Sequence, residues 1–350
     1  MPTRPDAGRR RLLTSVAATC LAAPCVRPAA GQGRLEKPRV VLAAVGHAGL
    51  YGLPLTLARH LGYWQAQGLD VDLLEAAGEA HALQMLAAGQ ADLLSLPFEQ
   101  TLRQQARGRP LQAVVVHGRA PQVALGVSTR NLPTFSGLAE LRGHSVGVSA
   151  PDSSSALVAR LTLARAGLRV EDVNLVSYGT HAAALAAVRA GQLDAACSMD
   201  PLMTLMEQKS EVRIVSDTRT LRGTQEVFGG PMAAGCLCAP VATLQRHPRT
   251  LQALTDGVLQ ALRWLQTAGP RDLIRAVPDR LFGGDRALYL AAFGKMREAI
   301  SIDGQLHPDA AWTALRVLSA ADPEVRLGRV DLALTWAPEF TQRSAERVRA

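Results

Sequence analysis

Apolar positions between residues 37 and 97 change their period several times, and each change marks an element. Lys37 to Val45 carries the unbroken run Val40-Val41-Leu42-Ala43, which predicts a buried strand. Leu53 to Tyr63 returns to helical spacing. Leu69, Val71 and Leu73 then alternate with polar residues as a strand does, whereas Leu83, Leu86 and Ala87 recur at helical intervals. Gly89 stands where a helix needs a left-handed C-terminal residue, Asp92 opens a short apolar strand, and Pro97 stops it. The stretch predicts a βαβ unit.

The same pattern returns about a hundred residues later. Thr180 to Asp194 lies over Gly78 to Asp92 without a gap, with Ala, Leu, Gly, Gln and Asp at matching places. Two copies in an otherwise varied chain predict two α/β lobes rather than a repeat array, with the ligand between them.

The intervening pattern fills in the rest. Leu111 to Val116 and Val123 to Ser128 predict strands, the second closing the first lobe or crossing out of it. Leu138 to Val148 predicts a short helix, a turn and the first strand of the second lobe, and Ser153 onward an amphipathic helix to about Ala166. Further strands are predicted at Val173 to Tyr178, Ala195 to Met199 and Val212 to Ser216. Gly229-Gly230-Pro231 marks a passage back, with Met232 to Cys238 as the returning strand. From Val241 onward the pattern is helical, including Asp285 to Ala299 and His307 to Leu318, and such helices are expected to pad one lobe. Trp264 and Trp312 are expected in the core. Residues 35–122 with 230–350 therefore read as lobe one and 123–229 as lobe two, joined by two hinge crossings.

Composition alters this picture in two places. The formal charge of +8 is concentrated at the N-terminus, where Arg4, Arg9, Arg10, Arg11 and Arg27 face only Asp6, leaving +4 for the remainder. With aromatic residues at 4% there is no basic stripe with stacking rings, which argues against nucleic acid as a partner. Residues 1–30 read as an export signal: Arg9-Arg10-Arg11-Leu12-Leu13 leads into an apolar run and then the small residues Ala29-Ala30-Gly31. The arginine pair resembles a twin-arginine signal, with the ordinary secretory route as the alternative. Cleavage near Ala30 is preferred over lipidation at Cys20 or Cys25, since Pro24 adjoins Cys25. Cys197, Cys236 and Cys238 would remain as buried thiols, because neighbours two apart on a strand share a face and are poorly placed to bridge.

Candidate chemistry collects where strands empty into helices, since free N–H groups and the helix dipole are presented there. His47 and Tyr51 follow the first strand, with turn capping as the competing role for His47. Gly78 and Glu79 follow the second, Ser95 and Glu99 the third. In lobe two, Asp152, Ser153 and Ser154 begin a helix either as caps or as ligand contacts, and ligand contact is preferred because the matching junctions of lobe one face the same cleft. His181 and Asp200 complete the set. No phosphate loop, zinc-binding His-Glu pair or Gly-x-Ser-x-Gly elbow occurs, so no catalytic residue, metal or cofactor is assigned.

Taken as a set, Gly62-Tyr63-Trp64, Gly68-Leu69-Asp70-Val71, Ala88-Gly89-Gln90-Ala91-Asp92, Leu138 to Val148 and Gly191-Gln192-Leu193-Asp194 resemble the periplasmic solute-binding proteins of nitrate, sulfonate and taurine ABC importers, the SsuA/THI5-like group. That resemblance implies a two-lobed periplasmic-binding-protein-like α/β fold of type II, each lobe a mainly parallel sheet flanked by helices. It also implies a monomer that captures a small polar solute and hands it to a permease and its ATPase outside the cytoplasm. An enzyme on the same fold, such as a pyrimidine synthase or small-molecule lyase, and an exported sensory module are the alternatives. Glu79, Glu99, Asp152 and Asp200 would crowd an anion, with no arginine or lysine at a candidate loop to offset them. The expectation is therefore a neutral or cationic solute, of the pyrimidine-precursor kind, rather than sulfonate or nitrate.

Overall fold

The computed structural model describes residues 34–46 and 49–349. The expected export signal and His47 lie outside the described residues.

Ten strands appear in chain order: β1 Arg39–Val45, β2 Asp70–Ala76, β3 Leu93–Pro97, β4 Leu111–Val116, β5 Val123–Ser128, β6 Ser145–Val148, β7 Asn174–Ser177, β8 Ala195–Met199, β9 Val212–Asp217 and β10 Gly235–Pro240. They form two five-stranded sheets, ordered β2-β1-β3-β10-β4 and β7-β6-β8-β5-β9. In each sheet the first three strands are parallel and the fourth, β10 or β5, is antiparallel to both neighbours. That fourth strand is the one the chain enters on arriving from the other sheet. The crossings run between Val116 and Val123 and between Asp217 and Gly235. Val123–Ser128 thus crosses out of lobe one. The returning strand begins at Gly235 rather than Met232.

The repeated motif has a mechanical role in both sheets. Its helices, Glu79–Ala87 and His181–Arg189, both end before a left-handed glycine, Gly89 at φ +69° and Gly191 at φ +74°. The turn then aims an aspartate at the start of the neighbouring strand. Asp92 donates its N–H to the Val41 carbonyl at 2.8 Å and accepts the Val41 N–H at 2.9 Å. Asp194 does the same for Ser145, at 3.1 and 2.9 Å. Each aspartate therefore fixes how the central parallel strand beside it, β1 or β6, enters its sheet.

Gly62-Tyr63-Trp64 is likewise structural. The indole of Trp64 is 2% exposed and donates to the Leu254 carbonyl at 2.9 Å, pinning the long helix Pro248–Thr267 to the outer face of lobe one. Leu42, Leu57, Leu251, Leu254, Val258 and Leu262 fill that layer. Trp264 packs against it, whereas Trp312 is 53% exposed, contrary to the expected core position.

The C-terminal helices do more than pad one lobe. Helix Arg286–Met296 reaches lobe two through an ion pair between Lys295 and Glu207, and Leu221 N–H donates to Glu298 at 2.8 Å. Helix Pro308–Ala321 joins an apolar cluster that contains Leu94 and Leu102 of lobe one with Leu157, Val158 and Val146 of lobe two. Its buried Ala310, Ala314 and Leu318 recur at helical spacing, and that stripe is what lets it serve both lobes.

Candidate functional site

The C-terminal ends of the parallel strands bring most of the candidate side chains to the facing edges of the two sheets. After β2, Gly78 is extended (φ 173°) and Glu79 is the first residue of its helix. After β3, Phe98 leads into the helix Glu99–Ala106, whose first turn is buried, Glu99 at 3% exposure. On the opposite side, the loop after β6 runs through Ser149 to Ser153 into the helix Ser154–Arg165.

These elements meet directly. Ser154 donates its N–H to Glu79 Oε1 at 3.2 Å and its hydroxyl to Glu99 Oε1 at 2.6 Å, with a longer contact of 3.4 Å to Glu79. Gln100 donates to the other oxygen of Glu79. Arg103, one turn further along, donates to the Asp152 carbonyl at 3.0 Å. Two carboxylates of lobe one therefore close on a single serine of lobe two. Burial first, and then the charge of Glu99, push the Glu79 carboxyl up to about 7, while Arg103 and the bonds from Gln100 and Ser154 hold it back.

Beneath this contact lies a second buried layer. Ser95 and His117, both 1% exposed, share a hydrogen bond of 3.0 Å between Oγ and Nε2, and His117 Nδ1 has no partner among the described residues. Burial lowers the His117 pKa to about 3, so the ring is neutral. Gly235 across the sheet must lack a side chain, because an added Cβ would lie 2.2 Å from His117 Cε1. The Tyr51 ring packs edge-on to His117 at 5.8 Å. Its hydroxyl is buried and has no partner among the described residues, and its pKa is raised well above the ordinary value by burial, then by Glu99, Cys236 and Glu79. Cys236 and Cys238 are free and buried, as is Cys197.

In lobe two the candidates divide. The Ser153 hydroxyl is engaged as a helix cap, donating to the Ala150 carbonyl at 2.7 Å and accepting from Ala156 N–H at 3.3 Å. The Asp152 side chain is exposed, and its carbonyl is what meets lobe one. His181 is exposed at the start of its helix. Desolvation lowers its pKa against the pull of Asp200 and Glu75.

Asp200 corrects the expectation that no arginine offsets the acids. Arg219, 1% exposed, donates from Nη1 to both Asp200 oxygens at 3.3 Å and from Nη2 to Asp217 at 2.6 Å, with Glu207 at 3.6 Å. Asp200 also caps Thr204 N–H at 2.8 Å. Arg103 is the second buried arginine, paired with Asp322 at 3.0 Å. Neither arginine is within a candidate loop as read from the sequence. Arg219, Arg103, His117 and Gln100 were missed, although the position of His117, directly after β4, obeys the strand-end rule that found the others.

Among the described residues no group of three or more His, Cys, Asp or Glu is arranged to hold a metal, and no helix is long and apolar enough to cross a membrane.

Comparison with known proteins identifies the family and the fold. A solved structure from Bordetella bronchiseptica RB50 superimposes with a TM-score of 0.85 at 42% identity, covering 91% of this chain and all of the other. The alkanesulfonate-binding protein SsuA from Xanthomonas axonopodis pv. citri, bound to MOPS, shares the fold at a TM-score of 0.68 and 18% identity, covering 86% and 98% of the two chains. A protein of Escherichia coli (strain K12) described as binding aliphatic sulfonates is 32% identical over 146 residues, which is 42% of this chain and only 45% of that relative. Residues 47–269, well over half of the chain, match the family model described as NMT1/THI5 like, and the chain belongs to that family.

Proposed function

We propose that this chain is the extracytoplasmic solute-binding component of an ATP-driven importer, capturing a small polar solute between its lobes and delivering it to a membrane permease and its ATPase. The observation that carries this reading is the meeting of Glu79 and Glu99 of one lobe with Ser154 of the other, beside a buried Tyr51 hydroxyl that has no partner among the described residues. Two sheets of equivalent spatial arrangement, each with an antiparallel crossing strand in fourth place and joined by two crossings, supply a frame on which such a contact opens and closes. The sulfonate-binding relatives support the same assignment of class.

On this reading residues 1–30 direct export, 35–122 and 230–350 make lobe one, 123–229 make lobe two, and the mature protein works as a monomer. The solute is held among Tyr51, Glu79, Glu99, Ser154 and His181, while Ser95 and Asp200 shape the floor from behind.

The test is thermal unfolding of protein purified from the periplasm against sulfonates, nitrate, amines and aminopyrimidines, with each compound followed by mass spectrometry. A compound present at about a thousand times its dissociation constant stabilises by about 4 kcal/mol, which is several degrees. A shift with the compound recovered unchanged supports a binding protein. Conversion of the compound supports the enzyme instead.

A further inference from the structure

The two passages between the lobes are held by the C-terminal part of lobe one. Along the first crossing, Arg119 donates its N–H to the Ala299 carbonyl and its Nε to the Glu298 carbonyl, both at 2.8 Å. Ser301 donates its N–H to the His117 carbonyl at 3.0 Å, beside them. The second crossing contains the helix Leu221–Phe228, and lobe one grips both of its ends. Leu221 N–H, at the N-terminus, donates to Glu298 Oε1 at 2.8 Å, and the Phe228 carbonyl, at the C-terminus, accepts from Arg316. An acid at the first end and a base at the last is the arrangement that the helix dipole favours. Just past that helix, Gly230 lies so close to the helix Pro308–Ala321 that an added Cβ would stand 2.5 Å from Thr313 Oγ1.

The same segment reaches beyond the crossings into lobe two. Lys295 forms an ion pair with Glu207, in the last turn of the helix Leu202–Gln208, and Glu207 stands 3.6 Å from Arg219. The short stretch from Lys295 to Ser301 therefore touches the first crossing, the second crossing and the body of lobe two. A hinge turns by changing backbone angles in such crossings. Rotation of lobe two about them carries Glu207 and Leu221 away from Lys295 and Glu298, which stay with lobe one. The Lys295 and Glu207 side chains are 35% and 37% exposed, so water can take over their bonds, and the tie can be released and made again.

We propose that Lys295 and Glu298 are positioning residues for the cleft: they strap lobe two in the orientation in which Ser154 meets Glu79 and Glu99, and their release lets the lobes part. This goes beyond the solute-binding reading. Its test needs no solute, so failure of the strap and failure of that reading are told apart.

Spin labels at Gln84→Cys and Ala186→Cys, exposed and equivalent positions on the two repeated helices, report the separation of the lobes by double electron–electron resonance. Cys197, Cys236 and Cys238 are buried, and Cys20→Ser with Cys25→Ser removes the remaining thiols. Lys295→Ala combined with Glu298→Ala is expected to lengthen the mean separation by more than about 2 Å, the scale of a domain rearrangement. Lys295→Arg combined with Glu298→Gln keeps the cation and an acceptor, and is expected to keep the native distance distribution. An alanine pair whose distribution superimposes on the native one overturns the proposal. So does an equal lengthening in the conservative pair, since the ties would then not be its cause. If circular dichroism shows the alanine pair misfolded, Lys295→Ala and Glu298→Ala are compared singly with the native chain by the same distance, and an unchanged distribution in both overturns the proposal.

Discussion

The two lobes share a frame and differ in what it carries. In both, a βαβ unit ends in a left-handed glycine and an aspartate that locks the central parallel strand beside it, and in both the chain enters on an antiparallel fourth strand. Lobe one sets Glu79 beside Glu99 and, among the described residues, leaves His117 Nδ1 and the Tyr51 hydroxyl without partners. Lobe two buries a charge that is fully answered, with Arg219 between Asp200 and Asp217 and serine hydroxyls bonded to one another. The lesson is that a duplicated scaffold need not duplicate its electrostatics. One half sets a buried carboxylate against an arginine, and the other sets two carboxylates against one serine.

Breaking the Arg219 cluster should have the largest effect. Arg219→Ala leaves Asp200 buried without its cation, and removing one partner of a buried pair costs about 3–5 kcal/mol. Urea unfolding is expected to show that loss, with Arg219→Lys recovering part of it. A change below about 1 kcal/mol would mean that the cluster is not structural.

The next effect concerns pH, where the two titratable groups of lobe one act in opposite directions. The Glu79 carboxyl is raised to about 7 in the folded state, so its contribution is full below the ordinary carboxylate range and is lost as pH rises through 7. The His117 pKa is lowered to about 3, so its contribution is full above the ordinary imidazole value and is lost as pH falls toward 3. At about 1.4 kcal/mol per pH unit of displacement, each arm is worth a few kcal/mol at most. Urea midpoints between pH 5 and 8 should therefore fall less steeply in Glu79→Gln than in the native chain. Identical slopes would remove Glu79 from the account.

The smallest effect tests the shared frame. Asp194 accepts from Ser145 N–H and Oγ and from Asn131 at 2.8–2.9 Å, with His144 at 3.1 Å, whereas Asp92 serves Val41 N–H and the half-exposed Lys37. Asp194→Ala is expected to cost about 1–3 kcal/mol and Asp92→Ala nearer 1 kcal/mol by thermal unfolding, since fewer polar groups lose a partner. Equal losses would mean that the strand N–H bond, common to both, dominates.

Much of this arrangement is local and was legible for that reason. The periods of 2 and 3.6 located the strands and helices, Gly89 and Gly191 announced their turns, and the match of Gly78–Asp92 to Thr180–Asp194 implied two lobes. The rule that ligands gather at strand ends brought Tyr51, Glu79, Glu99 and Ser154 onto the page. Trp312 was misjudged because a large apolar side chain on an amphipathic helix says nothing of which face the rest of the chain leaves open.

By itself, then, the sequence determined the elements, their duplication and the family, since these depend on contacts within a few residues or on pattern. The tertiary structure alone decided which charges meet. Arg219 lies 19 residues from Asp200, and Arg103 lies 219 residues from Asp322, separations that no periodicity encodes. Whether a carboxylate is paired with an arginine, as Asp200 is, or set against a second carboxylate and a serine, as Glu79 is, depends on burial and on partners supplied by other elements, and those are set only when the two sheets come together.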